Sequence, residues 1–246
     1  MFPPQENSIT KLEHGQACDF SQDYRLRALF VKVPLVGGRL LDVGSGNGEI
    51  ANILKGSFAH FTLTDVSQFL CDHLRSKFQG RNDVSVVQID AQNFSFAETL
   101  FDIITMSDCI EHVKDDEIAL HNAHKALKPG GVLFVTVPAF PSLYGMRDKH
   151  AGHYRRYKRQ ELREKIEAQG FIVETLCYWN MIGFMPYWMS EKIFQKELVG
   201  PARVVRSGFT RMLNRLIYMI LLTEAKILFL PFGITLVAVA KKPEHA

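Results

Sequence analysis

The chain has 246 residues and a formal net charge of +3, with 47% hydrophobic and 22% charged residues. This length suits one large α/β domain, or one domain with a sizeable insertion, and the composition is that of an ordinary globular protein. The small net charge gives no indication of a nucleic-acid-binding protein. The cysteines form no C-x-x-C pair and fit no zinc motif; they are Cys18, Cys71, Cys109 and Cys177. The N-terminal sequence has no basic segment followed by an apolar one, so we expect a cytoplasmic protein with reduced thiols and no secretory signal.

Short apolar runs alternate with amphipathic stretches along the chain, which predicts a mainly parallel sheet covered by helices on both faces. The predicted strands lie at 39–44, 61–66, 84–90, 101–107, 132–137, 171–178 and 234–241. The predicted helices lie at about 21–33, 48–55, 115–127 and 160–169, and Ser67 is a good N-cap for another. The sequence KPGG at 128–131 is a strong stop signal for the helix before it.

The first predicted strand runs into a glycine-rich turn, with the sequence LLDVGSGNG at 40–48. Gly44, Gly46 and Gly48 permit a tight turn and let a ligand approach the backbone closely. Turns of this kind also occur in NAD and FAD proteins and as ordinary strand–helix connections. The turn therefore indicates a ligand site without identifying the ligand.

Acidic residues stand at the ends of the first three predicted strands, namely Asp42, Asp65 and Asp90. A carboxylate at Asp65 is placed to accept hydrogen bonds from both ribose hydroxyls of an adenosine, and Asp90-Ala91 is placed to meet an adenine amino group. The alternative is that these side chains cap helices or are solvated in loops. An acidic rim suits a cationic ligand without phosphate, whereas a dinucleotide site favours G-x-G-x-x-G.

From about residue 39 to 140, and again at the last strand, the chain resembles the class I S-adenosylmethionine-dependent methyltransferases. The first motif of that family is matched by Asp42, Gly44, Gly46 and Gly48, the ribose-binding acid by Asp65 and the adenine-binding acid by Asp90. The segments 101–108 and 127–131 match the fourth-strand motif and the loop before the fifth strand. The resemblance implies a Rossmann-like seven-stranded sheet, mainly parallel with the last strand antiparallel, and S-adenosylmethionine as the cofactor. The predicted cofactor-binding residues are Asp42, Gly44, Gly46, Gly48, Asp65, Val66, Asp90, Ala91 and Ser107.

Two segments are candidates for the acceptor side of a methyl transfer. The first, 107–113, follows the fourth strand, and its His112 is the nearest candidate for a general base, although it can equally be structural. The second, RDKHAGHYRRYK at 147–158, contains a G-H-x-R-R-Y loop that resembles one in bacterial small-molecule and glycan methyltransferases, with a solvated basic loop as the alternative. We predict His112 and His153 as catalytic residues. The predicted acceptor-binding residues are Tyr154, Arg155, Arg156, Tyr157, Tyr187 and Trp188.

The residues around His112 also suggest a metal site as an alternative. Asp108-x-x-Glu111-His112 resembles the metal-binding E-x-x-E-H of ubiquinone-biosynthesis O-methyltransferases and of small-RNA 2′-O-methyltransferases. Aspartate in place of the first glutamate shortens the reach of that carboxylate by one methylene. We therefore predict that no metal is bound and keep the metal site as the competing hypothesis.

The segment 179–233 departs from the strand–helix alternation, and we interpret it as a helical insertion within a single domain that covers 1–246. It is rich in Met, Phe, Tyr and Leu, and between Glu197 and Glu224 it has arginines but no acid. Its apolar part, 216–232, is too short for a good membrane span and has Glu224 and Lys226 near its centre. We predict a cap over the acceptor site; the alternatives are a homodimer interface, peripheral contact of 198–232 with a membrane surface, and an ordinary extension of the core.

The leading hypothesis from the sequence is an S-adenosylmethionine-dependent O-methyltransferase. Its acceptor would be small and anionic or amphiphilic, of a glycan, lipid-linked or natural-product type. The alternatives are carboxylate methylation on a peptide or protein, and a non-catalytic scaffold that binds S-adenosylmethionine. We predict no nucleic-acid partner, since no RNA-binding module is recognisable in the sequence.

Overall fold

The computed structural model of the protein describes residues 37–96, 100–194, 208–227 and 230–244. The helix predicted at 21–33 and the part of the insertion at 195–207 lie outside these residues. Within them, strands and helices alternate as the sequence predicts.

Seven strands form one sheet in the order β3-β2-β1-β4-β5-β7-β6. The strands are β1 (Arg39–Val43), β2 (His60–Asp65), β3 (Val84–Gln88), β4 (Phe101–Ser107), β5 (Leu127–Pro138), β6 (Ile172–Trp179) and β7 (Thr235–Lys241). Neighbouring strands are parallel except for β7, which is antiparallel to both β5 and β6. The prediction of a mainly parallel seven-stranded sheet with an antiparallel last strand is therefore confirmed. The strand order reverses between β1 and β4, and open α/β sheets bind ligands at such a point.

Helices connect these strands; four of them begin close to their predicted positions, those at 49–53, 68–77, 116–126 and 159–168, whereas the one at 146–151 lies in a segment that we expected to be a loop. They are α1 (Glu49–Ile53), α2 (Gln68–Lys77), α3 (Asp116–Ala126), α4 (Met146–Ala151), α5 (Arg159–Ala168), α6 (Phe184–Trp188) and α7 (Gly208–Lys226), and a π-helical segment, Met189–Phe194, continues from α6. Ser67 caps α2 as predicted, because its side chain accepts a hydrogen bond from the backbone N–H of Leu70.

The strand β5 begins five residues earlier than its predicted start, immediately after α3 ends. Leu127 pairs with Phe101 of β4, so the residues expected to form a loop extend the sheet. Gly130 N–H donates to the Lys242 carbonyl and Lys242 N–H donates to the Gly131 carbonyl, at 3.0 and 2.9 Å. The helix ends at Ala126, before the predicted stop signal, and pairing with the chain beyond β7 keeps the glycine segment extended.

Two apolar clusters lie on opposite faces of the sheet. One contains Leu133 and Val135 of β5 and is covered by α3 and α5, which contribute Leu120 and Leu162 among others. The other contains Phe134 of β5 and is covered by α1, α2 and α7. The alternation of β5 side chains between the two clusters is expected for a strand buried on both faces.

The insertion between β6 and β7 divides into two parts with different positions. The Trp179 Nε1–H donates to the Leu221 carbonyl at 3.2 Å, and Leu221 and Ala225 join the second apolar cluster. Glu224 is buried, and its carboxylate accepts from Met181 N–H at 2.9 Å. The helix α7 therefore covers a face of the sheet instead of forming part of a single cap, whereas α6 lies near the carboxyl end of β5. Within the residues that the structure describes, no helix is long and apolar enough to cross a membrane.

Candidate functional site

The glycine-rich turn joins β1 to α1, and Gly44, Gly46 and Gly48 all have left-handed backbone with φ of 73°, 51° and 69°. A Cβ atom at Gly44 would lie 2.9 Å from Cys109 Sγ, and one at Gly48 would lie 2.6 Å from the Phe78 ring. A Cβ at Gly46 would meet nothing within 4 Å. Packing therefore requires two of the glycines, whereas Gly46 borders open space that a ligand can fill.

Asp65 ends β2 and links the glycine-rich turn to the start of α2. Its Oδ2 accepts from Gly46 N–H at 3.2 Å and its Oδ1 accepts from Ser67 N–H at 2.9 Å. Burial raises the pKa of Asp65, and the two amide hydrogen bonds offset part of that effect. The carboxylate is thus held beside the open space at Gly46.

Asp42 is buried one position before the end of β1, and only one of its two carboxylate oxygens has a hydrogen-bond partner in the described part of the chain. The Thr105 hydroxyl donates to Oδ1 at 2.7 Å, whereas Oδ2 is buried and has no hydrogen-bond partner there. Burial raises the pKa of Asp42 to about 6. A buried acceptor without a donor indicates that another molecule completes this site.

The remaining predicted cofactor residues lie at the same edge of the sheet, because they follow or end the parallel strands β2, β3 and β4. Val66 and Asp90 are exposed, and Asp90 Oδ1 accepts from Gln92 N–H at 2.8 Å. Ala91 is buried. The Ser107 hydroxyl lies 2.9 Å from that of Thr136 on β5. The sheet thus brings every predicted cofactor residue to the carboxyl ends of β1 to β4.

Backbone strain marks the neighbouring part of this edge. Three residues other than glycine have positive φ among those described: Asp108 at 48°, Phe140 at 59° and Asn180 at 63°. They follow β4, β5 and β6 directly or by one residue. Such conformations are costly for residues with a Cβ and cluster at functional sites.

The two predicted catalytic histidines lie side by side. His112 ends a short 3₁₀ helix after β4, and His153 lies in the loop between α4 and α5, where Tyr154 N–H donates to the Glu111 carbonyl at 2.8 Å. The two imidazole rings meet edge to face with centroids 4.6 Å apart. Burial lowers the pKa of His112 to about 4, and the nearby His153 adds to this effect. His112 is therefore a neutral imidazole at neutral pH.

His153 is held by Asp148, a residue that we did not identify from the sequence. Asp148 Oδ1 lies 2.8 Å from His153 Nδ1, and Arg156 Nε–H donates to both carboxylate oxygens at 2.9 and 2.8 Å. Burial alone would raise the pKa of Asp148, but the hydrogen bonds from His153 and Arg156 hold it below its usual value. A buried carboxylate at Nδ1 orients the ring and leaves Nε2 for another contact. No signal in the sequence indicated this role, because we interpreted 147–158 as a loop and the partners of Asp148 are known only from the folded chain.

Three of the predicted acceptor-binding residues, Arg156, Tyr157 and Tyr187, are buried with their polar atoms bonded to protein. The Tyr157 hydroxyl donates to Asp116 Oδ2 at 2.7 Å. The Tyr187 hydroxyl accepts from Arg156 Nη2 and lies 3.4 Å from Asp148 Oδ2. Their polar groups are thus used within the protein, around the loop that carries His153, and their direct contact with an acceptor stays a prediction.

The other three predicted acceptor-binding residues remain open to solvent. Tyr154 and Trp188 are exposed. Arg155 is partly exposed and pairs with Asp116, with Nη1 and Oδ2 3.1 Å apart. These side chains keep surface that an acceptor can contact.

An apolar cavity of about 340 Å³ lies between the loop after β5 and the segment that begins with α6. It is lined mainly by Phe140, Leu143, Phe184, Met185 and Trp188, and Lys192 also contributes. The cavity wall is connected to the loop that carries His153. Tyr144, the residue after Leu143 of the wall, donates from its hydroxyl to the His153 carbonyl at 2.7 Å. Tyr187, next to Trp188, contacts Arg156. The cavity and the histidine pair therefore share one framework.

The described residues also contain one group with the spacing of metal ligands. Glu111, His112 and His153 each offer a ligand atom, and these atoms lie within 4.8 Å of one another. His112 Nδ1 is buried without a hydrogen-bond partner among the described residues, which fits a ligand nitrogen. Asp108 does not belong to this described group, and its Oδ1 accepts from the Thr136 hydroxyl at 3.2 Å. One carboxylate with two imidazoles fits a transition metal ion better than Mg²⁺.

A family model for a methyltransferase domain matches residues 14–176 of the chain. The match includes the glycine-rich turn, Asp65 and the His112–His153 pair, and it ends before α6 and α7. The insertion therefore lies outside the matched part of the chain.

Two curated relatives are similar over part of their length. The ubiquinone/menaquinone biosynthesis C-methyltransferase UbiE of Vibrio vulnificus is 32% identical over 126 residues, which cover 48% of each protein. A ubiquinone biosynthesis O-methyltransferase of Coxiella burnetii is 29% identical over 155 residues, which cover 53% of this chain and 63% of that protein. The chain spans about half the length of the first relative and under two thirds of the second.

A solved S-adenosylmethionine-dependent methyltransferase of Mesorhizobium loti has the same fold, with a TM-score of 0.62 at 15% identity, over 89% of this chain and 98% of that one. The family match and the shared fold agree with the glycine-rich turn and the acidic strand ends described above. The chain belongs to the methyltransferase domain family.

Proposed function

We propose that the protein transfers the methyl group of S-adenosylmethionine to a hydroxyl oxygen of a small amphiphilic acceptor. The observation that carries this proposal is the His153 imidazole, oriented by Asp148, on a loop that Tyr144 joins to the wall of an apolar cavity. We call the residues around Asp42, Gly46 and Asp65 the donor side. We call His112, His153 and the apolar cavity the acceptor side.

On the donor side, each group has a task that fits S-adenosylmethionine. The open space at Gly46 admits the donor against the backbone, and Asp65 is placed to accept from the ribose hydroxyls. Asp42 offers a buried oxygen to the positively charged part of the donor. The sheet edge at β3 brings Asp90 and Ala91 to the same side for the adenine.

On the acceptor side, His153 acts as the general base. Its Nδ1 is bonded to Asp148, so Nε2 is the nitrogen that takes the proton from the acceptor hydroxyl as the new oxygen–methyl bond forms. When bound, S-adenosylmethionine would supply the methyl group, and the electrons of the broken methyl–sulfur bond would stay on the sulfur of the product S-adenosylhomocysteine. The enzyme otherwise has to align the two reactants, which is the contribution of the rigid loop.

The chemistry of the cavity supports an acceptor with an apolar or aromatic body. Aromatic and methionine side chains make an adaptable apolar wall, and Lys192, which also lines the cavity, suits an anionic group. Two relatives are named for ubiquinone biosynthesis, which supports a ring-bearing small molecule over a peptide.

Metal-assisted O-methylation is the second candidate, because Glu111, His112 and His153 have the spacing of a ligand set. When bound, a divalent cation would act as a Lewis acid that lowers the pKa of the acceptor hydroxyl. In this case Asp148 positions a ligand instead of a base, which is the usual role of a carboxylate behind a metal-bound histidine.

The test combines calorimetry with S-adenosylmethionine and a label-transfer assay on catechols and hydroxybenzoates that carry alkyl chains. We expect His153→Asn to keep donor affinity and to lose turnover by about 10²–10⁴-fold. The matched control is His150→Asn, an exposed histidine on α4, which should leave turnover unchanged.

Each other outcome decides against the proposal in a distinct way. Label in a base-labile methyl ester would favour carboxylate methylation, and label on carbon would favour C-methylation. Donor binding without any transfer would favour the scaffold. Activity lost in EDTA and restored by Zn²⁺ or Mn²⁺ would favour the metal-assisted reaction over the base.

A further inference from the structure

The helix α7 is apolar on two opposite faces. Its inner face buries Leu221 and Ala225 against the sheet. On its outer face Met212, Leu216 and Met219 are 64%, 57% and 54% exposed. Positions separated by three or four residues share one side of a helix, so these three side chains form one continuous apolar strip. A helix that covers a sheet needs one apolar face, and the second is unexplained by the fold.

The outer face carries positive charge and no described acid. Arg215 and Lys226 are exposed on the same side of α7 as the apolar strip. Glu224 is the one acid in the sequence of the helix, and it is buried, accepting from Met181 N–H and Ile182 N–H at 2.9 and 3.1 Å. The sequence from 198 to 223 contains arginine but neither aspartate nor glutamate. An apolar strip flanked only by cations complements a surface with an apolar interior and anionic groups.

We propose that the outer face of α7 binds the surface of an anionic lipid bilayer, with Met212, Leu216 and Met219 inserted at the level of the headgroups. Arg215 and Lys226 lie on the same side as the strip, where lipid phosphates complement their charge. The helix lies along the surface and keeps its inner face on the sheet. Glu224 holds the end of α7 against the chain that leads into α6, so the membrane-bound face is joined to the wall of the apolar cavity.

The charge of this face argues against a second copy of the chain as its occupant. A symmetric dimer would place the same patch of each protomer against the other, and Arg215 and Lys226 would then face a surface of like charge. Anionic lipid provides the opposite charge and needs no matching shape. The proposal does not depend on the proposed function, since vesicle binding is measured without donor or acceptor.

The test uses the full chain and sedimentation with vesicles of phosphatidylcholine alone or of phosphatidylcholine with phosphatidylglycerol. We expect binding to the anionic vesicles that weakens as salt rises. Replacing Leu216→Gln and Met219→Gln together should weaken it at least about 10-fold, because two apolar side chains no longer enter the bilayer. Arg215→Gln should weaken it about five-fold and reduce the salt dependence.

The matched control is Ile172→Gln, since Ile172 is 58% exposed on β6 and lies outside the outer face. It should bind vesicles as the original chain does, and circular dichroism should show all variants folded. No binding to anionic vesicles, or equal binding by the double variant, would overturn the proposal. Light scattering that shows a dimer, converted to monomer by the double variant, would assign the face to a second copy instead.

Discussion

The donor side comes almost entirely from one stretch of chain, residues 42 to 66, whereas the acceptor side is assembled from segments far apart in sequence. Asp42, Gly46 and Asp65 are brought together by the pairing of two neighbouring parallel strands. His112 follows β4, and Asp148 and His153 belong to the connection after β5. Short local motifs therefore describe the donor side, and only the folded chain describes the acceptor side.

The two sides also differ in whether their buried carboxylates have hydrogen-bond partners within the protein. On the donor side Asp42 Oδ2 has no partner among the described residues and Gly46 borders open space. On the acceptor side Asp148 is surrounded by His153, Arg156 and Tyr187. The donor side thus keeps a polar atom and open space available for a ligand, whereas the polar groups around Asp148 on the acceptor side hold the His153 imidazole in place. Variants of the two sides should therefore separate donor binding from acceptor use.

Among variants that separate donor binding from acceptor use, the largest effect is expected at Gly46. Gly46→Val fills the open space in which the donor would lie, and we expect donor affinity to fall by at least about 100-fold, because the donor can no longer approach the backbone. Gly56→Val is the matched control, since Gly56 also has positive φ, 81°, and a Cβ there would meet no atom within 4 Å, but it lies in the turn after α1. Calorimetry with S-adenosylhomocysteine checks both variants. Equal losses at the two positions would mean that backbone strain, and not a blocked ligand, causes the effect.

A smaller effect is expected from the charge of Asp42. Burial raises its pKa from 3.8 to about 6, so the side chain gains its charge as pH rises through that value. An opposite charge close to the donor changes affinity by about 10-fold, so we expect donor affinity to increase by that factor between about pH 5 and pH 7. Asp42→Asn should remove this dependence. Calorimetric titrations at several pH values measure it, and an unchanged dependence in the variant would place the titrating group elsewhere.

The same shift has a consequence for stability, with a defined sign. Because the ionised form is disfavoured in the folded protein, Asp42 destabilises the ligand-free fold progressively as pH rises from about 3.8 through 6. The melting temperature of Asp42→Asn should therefore fall less than that of the original chain as pH rises over this range. The donor should reduce the decline in the original chain, since it offers the charge a partner.

The smallest effect is expected at the wall of the apolar cavity. Trp188→Ala removes apolar surface from the cavity, and we expect the acceptor KM to rise about three- to ten-fold with donor affinity unchanged. Ile193→Ala is the control, because Ile193 is exposed in the same segment but does not line the cavity. Steady-state kinetics with varied acceptor check this, and a change in donor affinity alone would contradict the separation of the two sides.

The sequence predicted the sheet well because the sheet depends on local patterns, and the same patterns identified the residues that we propose for the donor side. Apolar strands bounded by glycine, and acids at strand ends, repeat at spacings that a single pass along the chain detects. The early start of β5 was missed, since it depends on pairing of Gly130 and Gly131 with Lys242 from the other end of the chain. The roles of Asp148 and Arg156 were missed for the same reason. A buried charge cannot be told from a surface charge in the sequence until its partner is known, and both residues lie in the segment 147–158, which we assigned to the acceptor site with a solvated basic loop as the alternative.

The strained corners after β4, β5 and β6 have a consequence for how this protein can change over time. Asp108, Phe140 and Asn180 hold backbone angles that glycine would adopt without cost. Relief of backbone strain, taken by itself, would favour glycine at all three. Yet Phe140 stacks on Tyr178 with ring centroids 5.1 Å apart and forms part of the cavity, so glycine there would relax the chain and remove the wall. At Phe140 backbone strain and aromatic packing thus act on stability in opposite directions, and the packing outweighs the strain, so we expect an aromatic residue to be retained there at the expense of an easier backbone.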